Sequence, residues 1–323
     1  RSARRWSRRR GNAQVIVCAS GQHRELLDPL LQFFDLKPDY DLDVMREQQS
    51  LASMMARVLS GVAEVIEQTR PDAVLVHGDT ATALAGSLAA FMQRAPVAHV
   101  EAGLRSGDLQ SPFPEEASRR LSDALAHWYF APTAGARRNL LREGVAAEKV
   151  FVTGNTVIDS LQLVVARLHN DHALRLALEQ KFAYLDAARR VILVTGHRRE
   201  NFGDNFRDVC AALKHIALAH PEVSIVYPVH LNPNVLAPAH ALLSSVPNIY
   251  LIEPQDYVHF VYLMGRAYLI VTDSGGVQEE APALGKPVLV TRAFTERPEA
   301  IRVGAARLVG TDPALIIAAV ERL

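Results

Sequence analysis

The sequence predicts an α/β protein made of two doubly wound halves, and three observations carry that prediction. Short, β-branched apolar runs alternate with helical periodicities along most of the chain. Most runs end in a turn of small or polar residues that opens a helix, the order of strand–turn–helix units feeding a parallel sheet. The 323 residues are also enough for two such domains of ordinary size.

The composition narrows the function classes. With 49% hydrophobic and 22% charged residues, the chain reads as a soluble globular protein. No apolar run approaches the roughly 20 residues that cross a bilayer, so no membrane partner is expected. Lys+Arg and Asp+Glu stand at 35 each, which leaves no global field for nucleic acid. Six of the basic residues fall in residues 1–10 (RSARRWSRRR), so the remainder is mildly acidic. That decapeptide reads as a basic arm, a targeting piece or an upstream segment outside the fold, and the last is preferred. Cys18 and Cys210 lie in apolar neighbourhoods and are expected as reduced thiols, which suits a cytoplasmic protein. Neither belongs to a metal-ligand pattern, and GxGxxG is absent, so no metal or nicotinamide cofactor is called for.

Taken in order, residues 14–20 read as a buried strand, and Gln22 and His23 at its end either line a cleft or form a solvated turn. Residues 25–34 look helical. Leu51, Met54, Met55, Val58, Leu59, Val62, Val65 and Ile66 recur at helical spacing behind Ser50 as N-cap, and Pro71 ends the helix. The strand 73–77 leads to Asp79, an N-cap or a functional carboxylate. The strand 97–100 leads to Glu101, which capping explains less readily. A proline-stiffened loop then carries Glu115 and Glu116 into a helix, whose positive end suits both. Asp79, Glu101 and Glu115 thus converge on one edge of one sheet. Carboxylates crowded in a partly dry cleft can have their pKa values split into an acid and a base.

Strands at 128–131 and 150–153 complete the first half, and 156–185 reads as a helical link. The second half opens with the strand 191–195 and then His197, flanked by Gly196, Arg198 and Arg199. This histidine is read as an acid/base group or a phosphate contact. Strands at 224–228 and 249–252 follow. The second leads to Gln255 and Phe260, where a turn beside a ring either seats a flat base or is ordinary packing.

The stretch 272–290, TDSGGVQEEAPALGKPVLV, is the most informative. A buried strand breaks at Asp273-Ser274-Gly275-Gly276 and restarts as a helix, ended by Gly285-Lys286-Pro287. Backbone N–H groups at Ser274, Gly275 and Gly276 are expected to face a phosphate at the positive end of that helix. Glu280, one turn on, could accept two ribose hydroxyls. Arg297 lies just downstream in Glu296-Arg297-Pro298-Glu299.

Read together, GQHRE (21–25), VLVHGDT (74–80), HVEAGLRSGD (99–108), PFPEEASRR (112–120), VTGHRRENFG (194–203), DSGGVQEEAPALGKPVL (273–289) and TERPEA (295–300) resemble the non-hydrolysing UDP-N-acetylglucosamine 2-epimerase family. The resemblance implies a glycosyltransferase-B-type fold of two Rossmann-like domains, 11–160 and 161–323, with the active site in the interdomain cleft. It also implies a homodimer without cofactor, acting in cell-surface polysaccharide synthesis. The family interconverts UDP-N-acetylglucosamine and UDP-N-acetylmannosamine by eliminating UDP to 2-acetamidoglucal and adding it back. By resemblance, Asp79, Glu101, Glu115 and His197 match the catalytic cluster. Ser274, Gly275, Gly276 and Arg297 match the pyrophosphate contacts, Glu280 the ribose contact, and Gln255 and Phe260 the uracil site. Gln22, His23 and Arg119 match cleft positions that in some members help hold a second, activating nucleotide sugar. The family's first strand with its GTRPE loop, and its last helices, have no counterpart here, so a truncated member is expected. A binding protein without turnover and a glycosyltransferase of the same fold are the alternatives.

Overall fold

The computed structural model describes residues 14–22, 24–46 and 49–323. The Arg-rich start and His23, both singled out above, lie outside the described residues. The chain divides into two compact units, one ending at Asn155 and the other beginning at Thr156.

The first unit is organised on a parallel sheet of β3 (Val74–His77), β4 (Val97–Val100), β5 (Trp128–Ala131) and β6 (Val150–Val152), paired in chain order. Helices Ala81–Met92, Glu115–Leu125 and Ala134–Arg142 make the crossovers between successive strands. The expected first strand shrinks to β1 (Cys18–Ala19), which pairs in parallel with the equally short β2 (Tyr40–Asp41) as a separate two-stranded sheet. Helix Leu51–Thr69 starts where its cap predicts, with the Ser50 hydroxyl accepting from the Ser53 amide at 3.1 Å. Met54 and Val58 on its apolar face pack with Val44, Ala81 and Ala85, which makes Met54 core filling. Ile66 joins Val76, Ala83, Ala89 and Val97 under the sheet. The small residues of helix Ala81–Met92 let it sit close to β3; the Cβ that Gly86 lacks would lie 3.3 Å from Val76.

The second unit is a six-stranded, all-parallel sheet. Its strands are β7 (Arg190–Thr195), β8 (Val223–Pro228), β9 (Ile249–Ile252), β10 (Leu269–Thr272), β11 (Val288–Val290) and β12 (Ala306–Leu308), in the order β12-β11-β10-β7-β8-β9. Chain order reverses between β7 and β10, which is the switch point of a doubly wound fold. Successive residues point to opposite faces, yet Ile192, Leu193, Ile270 and Val271 are all buried, so both faces are covered. That is why these strands read as continuous apolar runs rather than as alternating ones. One face packs on helices Asp204–Ala219, Pro233–Leu243 and Pro313–Val320 through Leu213, Ile216, Leu243 and Ile316. Cys210 is in the same core, and burial pushes its thiol up to about 12.

The stretch read as a link is part of this second unit. It forms helices Thr156–Asn170 and His172–Lys181, the latter capped by Asp171. The first of them packs on helices Tyr257–Arg266 and Val277–Ala283, burying Leu161 and Val164. The compact units divide between Asn155 and Thr156, ahead of helix Thr156–Asn170.

Candidate active site

At the carboxyl ends of β3 and β4, the first unit gathers charged side chains. Asp79 follows β3, but it is not the helix cap: the Thr80 hydroxyl takes the Ala83 amide at 3.2 Å. The Asp79 carboxylate instead accepts from Nη2 of Arg119, whose guanidinium is buried. Arg119 Nη1 also reaches Glu116 Oε2 at 3.2 Å. Glu116 is fully buried and further accepts from the Ser106 amide at 2.9 Å, the Gly107 amide at 3.4 Å and Arg120 Nε at 3.0 Å. Arg119, expected at a cleft, is thus the strut between Asp79 and the loop after β4. Gln22, the other described member of that group, takes the Thr82 hydroxyl at 2.7 Å beside the same helix start.

Glu101 follows β4 with φ +70, a left-handed conformation uncommon for a residue with a side chain. Its Oε2 lies 3.1 Å from His77 Nε2 and faces Gly78, next to Asp79. Glu115 opens helix Glu115–Leu125, and its Oε2 is buried without a protein partner among the described residues. The helix start favours its negative charge. Asp79 and Glu101 are therefore brought together, and Glu115 stands one turn of helix before Arg119.

In the second unit the residues collect at the switch point. The last residues of β7 and β10 are joined by a 2.6 Å contact between the Thr195 and Thr272 hydroxyls. One step on, the buried Asp273 carboxylate accepts from the His197 amide at 3.0 Å, the Arg198 amide at 2.9 Å and Asn201 Nδ2 at 3.2 Å. Asp273 Oδ1 also lies 3.5 Å from His197 Nδ1. The His197 ring stacks on His230 at 5.6 Å between centroids. Burial lowers its pKa; the Asp273 charge works the other way, and Arg198 and His230 lower it further. The lowered pKa favours the neutral imidazole, the form that can take a proton.

The glycine turn departs from expectation at one atom. The Ser274 amide is taken by the Thr272 hydroxyl at 2.9 Å, because a hydroxyl two residues back closes the turn on itself. The amides of Gly275 and Gly276 have no protein acceptor among the described residues. Helix Val277–Ala283 follows directly. Arg297 lies over the turn, where a Cβ on Gly275 would come 2.5 Å from its Nη1. The guanidinium is held by Glu279 and by Glu296, the latter at 2.5 Å. Gln278 ties the turn to this loop, donating to the Ser274 carbonyl at 3.1 Å and accepting from Thr295 at 2.6 Å.

Glu280 accepts from the Tyr257 hydroxyl at 2.5 Å. Burial raises its pKa to about 7, opposed by the tyrosine hydrogen bond and helped by the charge of Glu279. Gln255 donates to the Glu253 carbonyl at 2.7 Å, and its own buried Oε1 has no protein partner among the described residues. Phe260 is half-buried on helix Tyr257–Arg266, whereas Tyr262 stacks on Phe182 at 5.6 Å as ordinary packing. Among the described residues there is no group of three or more His, Cys, Asp or Glu placed to hold a metal ion. Among them, too, no helix is long and apolar enough to cross a membrane.

The sequence reading missed Glu116 as an anchor, Asp273 as a clamp, Tyr257 as the partner of Glu280, and the buried pair His99–Asp123 (2.7 Å). A signal existed for two of them. Glu116, Arg119 and Asp123 lie at i, i+3 and i+7, a charged stripe where a core-facing helix ordinarily shows an apolar one.

The fold and this turn define a doubly wound α/β protein of the nucleotide-binding class. A family model described as UDP-N-acetylglucosamine 2-epimerase matches residues 5–323, and the chain belongs to that family. It is 58% identical over 307 residues to the UDP-N-acetylglucosamine 2-epimerase of Yersinia pestis, covering 95% of this chain and 82% of the relative. The Salmonella typhimurium epimerase is 56% identical over 310 residues, covering 96% and 82%. The solved structure of UDP-GlcNAc 2-epimerase from Neisseria meningitidis bound to UDP-GlcNAc superposes with a TM-score of 0.94 at 48% identity, covering 98% of this chain and 85% of that one. That of Methanocaldococcus jannaschii, in complex with UDP-GlcNAc and UDP, gives a TM-score of 0.86 at 33% identity, covering 98% and 87%. The glycosyltransferase-B-like fold expected from the motifs is the fold of this chain.

Proposed function

We propose that the chain interconverts UDP-N-acetylglucosamine and UDP-N-acetylmannosamine without hydrolysis. The observation that carries this reading is the turn at Gly275 and Gly276, whose two amides have no protein acceptor among the described residues, with Arg297 above it and, beside it, Glu280, whose pKa burial raises to about 7. The sugar's C2–H is not activated by a ketone, so direct deprotonation is too costly. Elimination solves the problem. A base takes the C2 proton, that bonding pair becomes the C1=C2 double bond, and UDP leaves C1 with the C–O pair. Protonation of C2 from the other face and return of UDP to C1 give the epimer.

The residues fit these needs by type. Departing pyrophosphate is stabilised by Arg297 and the two glycine amides, charge that matters most in the transition state. Glu280 accepts the ribose hydroxyls, and the Gln255 carbonyl oxygen and the Phe260 ring suit uracil. Asp79, Glu101, Glu115 and His197 are the proton-handling groups. Relatives solved with UDP-GlcNAc support the substrate. The same reading makes the protein a cytoplasmic homodimer that supplies N-acetylmannosamine for cell-surface polysaccharide; light scattering at working concentration checks the dimer.

The test is proton NMR of the purified chain with UDP-N-acetylglucosamine in D2O. UDP-N-acetylmannosamine carrying deuterium at C2 is the expected product. Free N-acetylmannosamine with UDP would replace the reading by hydrolysis, and unchanged substrate despite UDP binding would replace it by binding alone.

A further inference from the structure

His99 lies on β4, fully buried, with both ring nitrogens engaged. Nδ1 is 2.7 Å from Asp123 Oδ1, and Nε2 is 2.8 Å from the carbonyl oxygen of Gly78. A carboxylate and a backbone carbonyl can only accept hydrogen bonds. A neutral imidazole carries one N–H, so either tautomer would aim a lone pair at an oxygen. Two donors are needed, and only the imidazolium has them. The charge around it agrees. Asp123 Oδ2 receives the Gly103 amide at 3.1 Å and Arg105 Nη2 at 2.7 Å, and Arg105 continues to Glu143 at 2.6 Å. Tyr129 donates its hydroxyl to the Asp123 carbonyl at 2.9 Å. Burial alone would lower the histidine's pKa, but the Asp123 hydrogen bond and charge, the Gly78 carbonyl and the charge of Glu101 raise it overall.

The groups held by this network are the turns that carry two proposed proton-handling residues. Gly78, at φ +71, is joined directly to Asp79. Gly103, at φ +86, stands two residues after Glu101, and a Cβ there would collide with the Ala136 carbonyl. Glu101 occupies a left-handed conformation that its surroundings must impose. We propose that His99 is a permanent imidazolium which, through Asp123 and the Gly78 carbonyl, positions Asp79 and Glu101 relative to each other. The assignment of the charged form stands on geometry alone. The positioning role rests on the functional reading given above.

Two measurements on the full chain test these parts separately. With the histidines labelled with 15N, both His99 ring nitrogens should carry protons from pH 6 to pH 9; a neutral ring at pH 7 overturns the proposal. Asp123→Asn keeps shape and removes the charge. It should lower kcat on the order of 100-fold, the cost of misplacing a reacting group by about an ångström, and slow C2 deuterium exchange equally. UDP affinity should stay within about twofold, because the proposed nucleotide contacts lie in the second unit. If Asp123→Asn does not fold, His99→Gln and the wild-type NMR spectrum still decide. A kcat within about threefold of wild type in a folded variant overturns the positioning role. No turnover by the unaltered chain would instead overturn the functional reading and leave the imidazolium to the NMR result.

Discussion

On the proposed reading, Glu280 is the residue whose ionisation bears most directly on nucleotide binding. Its carboxyl holds a proton up to about pH 7 in the fold, against an ordinary value of 4.5. The stabilisation it gives is therefore full below the ordinary value and is lost as pH rises through 7, at most roughly 3 kcal/mol. Ribose hydroxyls donate to the ionised form, so binding should run the other way. Calorimetric affinity for UDP-N-acetylglucosamine, whose pyrophosphate diester does not titrate here, should rise several-fold from pH 6 to pH 8. Glu280→Gln should flatten that rise; an unchanged slope would remove Glu280 from the ribose site. Gly275→Ala makes a second, sharper test. Its new methyl would meet Arg297 Nη1, which Glu279 and Glu296 hold in place, so the arginine is displaced while the fold is spared. Nucleotide affinity should fall by about tenfold or more, with Tm within a few degrees of wild type. A Tm loss without an affinity loss would refute the geometry.

Helix Glu115–Leu125 shows what neighbouring residues of like chemistry do when only one is buried. Glu116 and Glu115 were both legible as acids suited to a helix start, and nothing local told them apart. Tertiary placement did. Glu116 sits at the centre of two backbone amides and two arginines, whereas Glu115 keeps a buried oxygen without a protein partner among the described residues. Glu116→Ala would leave the buried Arg119 with Asp79 alone and the Ser106 and Gly107 amides without their acceptor, and urea unfolding should show a loss of about 3–5 kcal/mol. Glu115→Gln should change stability by less than about 1 kcal/mol and still abolish turnover; near-normal turnover would take Glu115 out of the proton-handling set. The strands and most helix starts could be read because caps, periodicity and turn glycines act over a few residues. Asp79 shows the limit. Its position before a helix reads as a cap, yet Thr80 does that work, and the partner Arg119 is 40 residues away in sequence. The Ser274 amide was misread for the opposite reason, since a local hydroxyl captured it.

At the scale of the molecule, the second unit has its own six-stranded sheet and its own core. Residues 156–323 expressed alone are expected to fold and to bind UDP measurably. They should convert no substrate, because Asp79, Glu101 and Glu115 lie outside the fragment. Cooperative unfolding by circular dichroism and a UDP titration check both halves of that expectation. The strand order reversal, and with it the switch point, could be anticipated from the two βα patterns, but the register between β7 and β10 could not. That register brings Asp273 beside residues 197–201, some 75 positions away.

Asp273 has a mechanical consequence. The turn at His197 and the turn at Ser274 hang from one carboxylate on the two central strands. On the reading proposed above, the glycine turn receives the departing UDP and His197 handles a proton, so one carboxylate fixes the place of both. With both turns tied to that carboxylate, a reaction that must send its leaving group away and take it back would keep the two aligned between its steps.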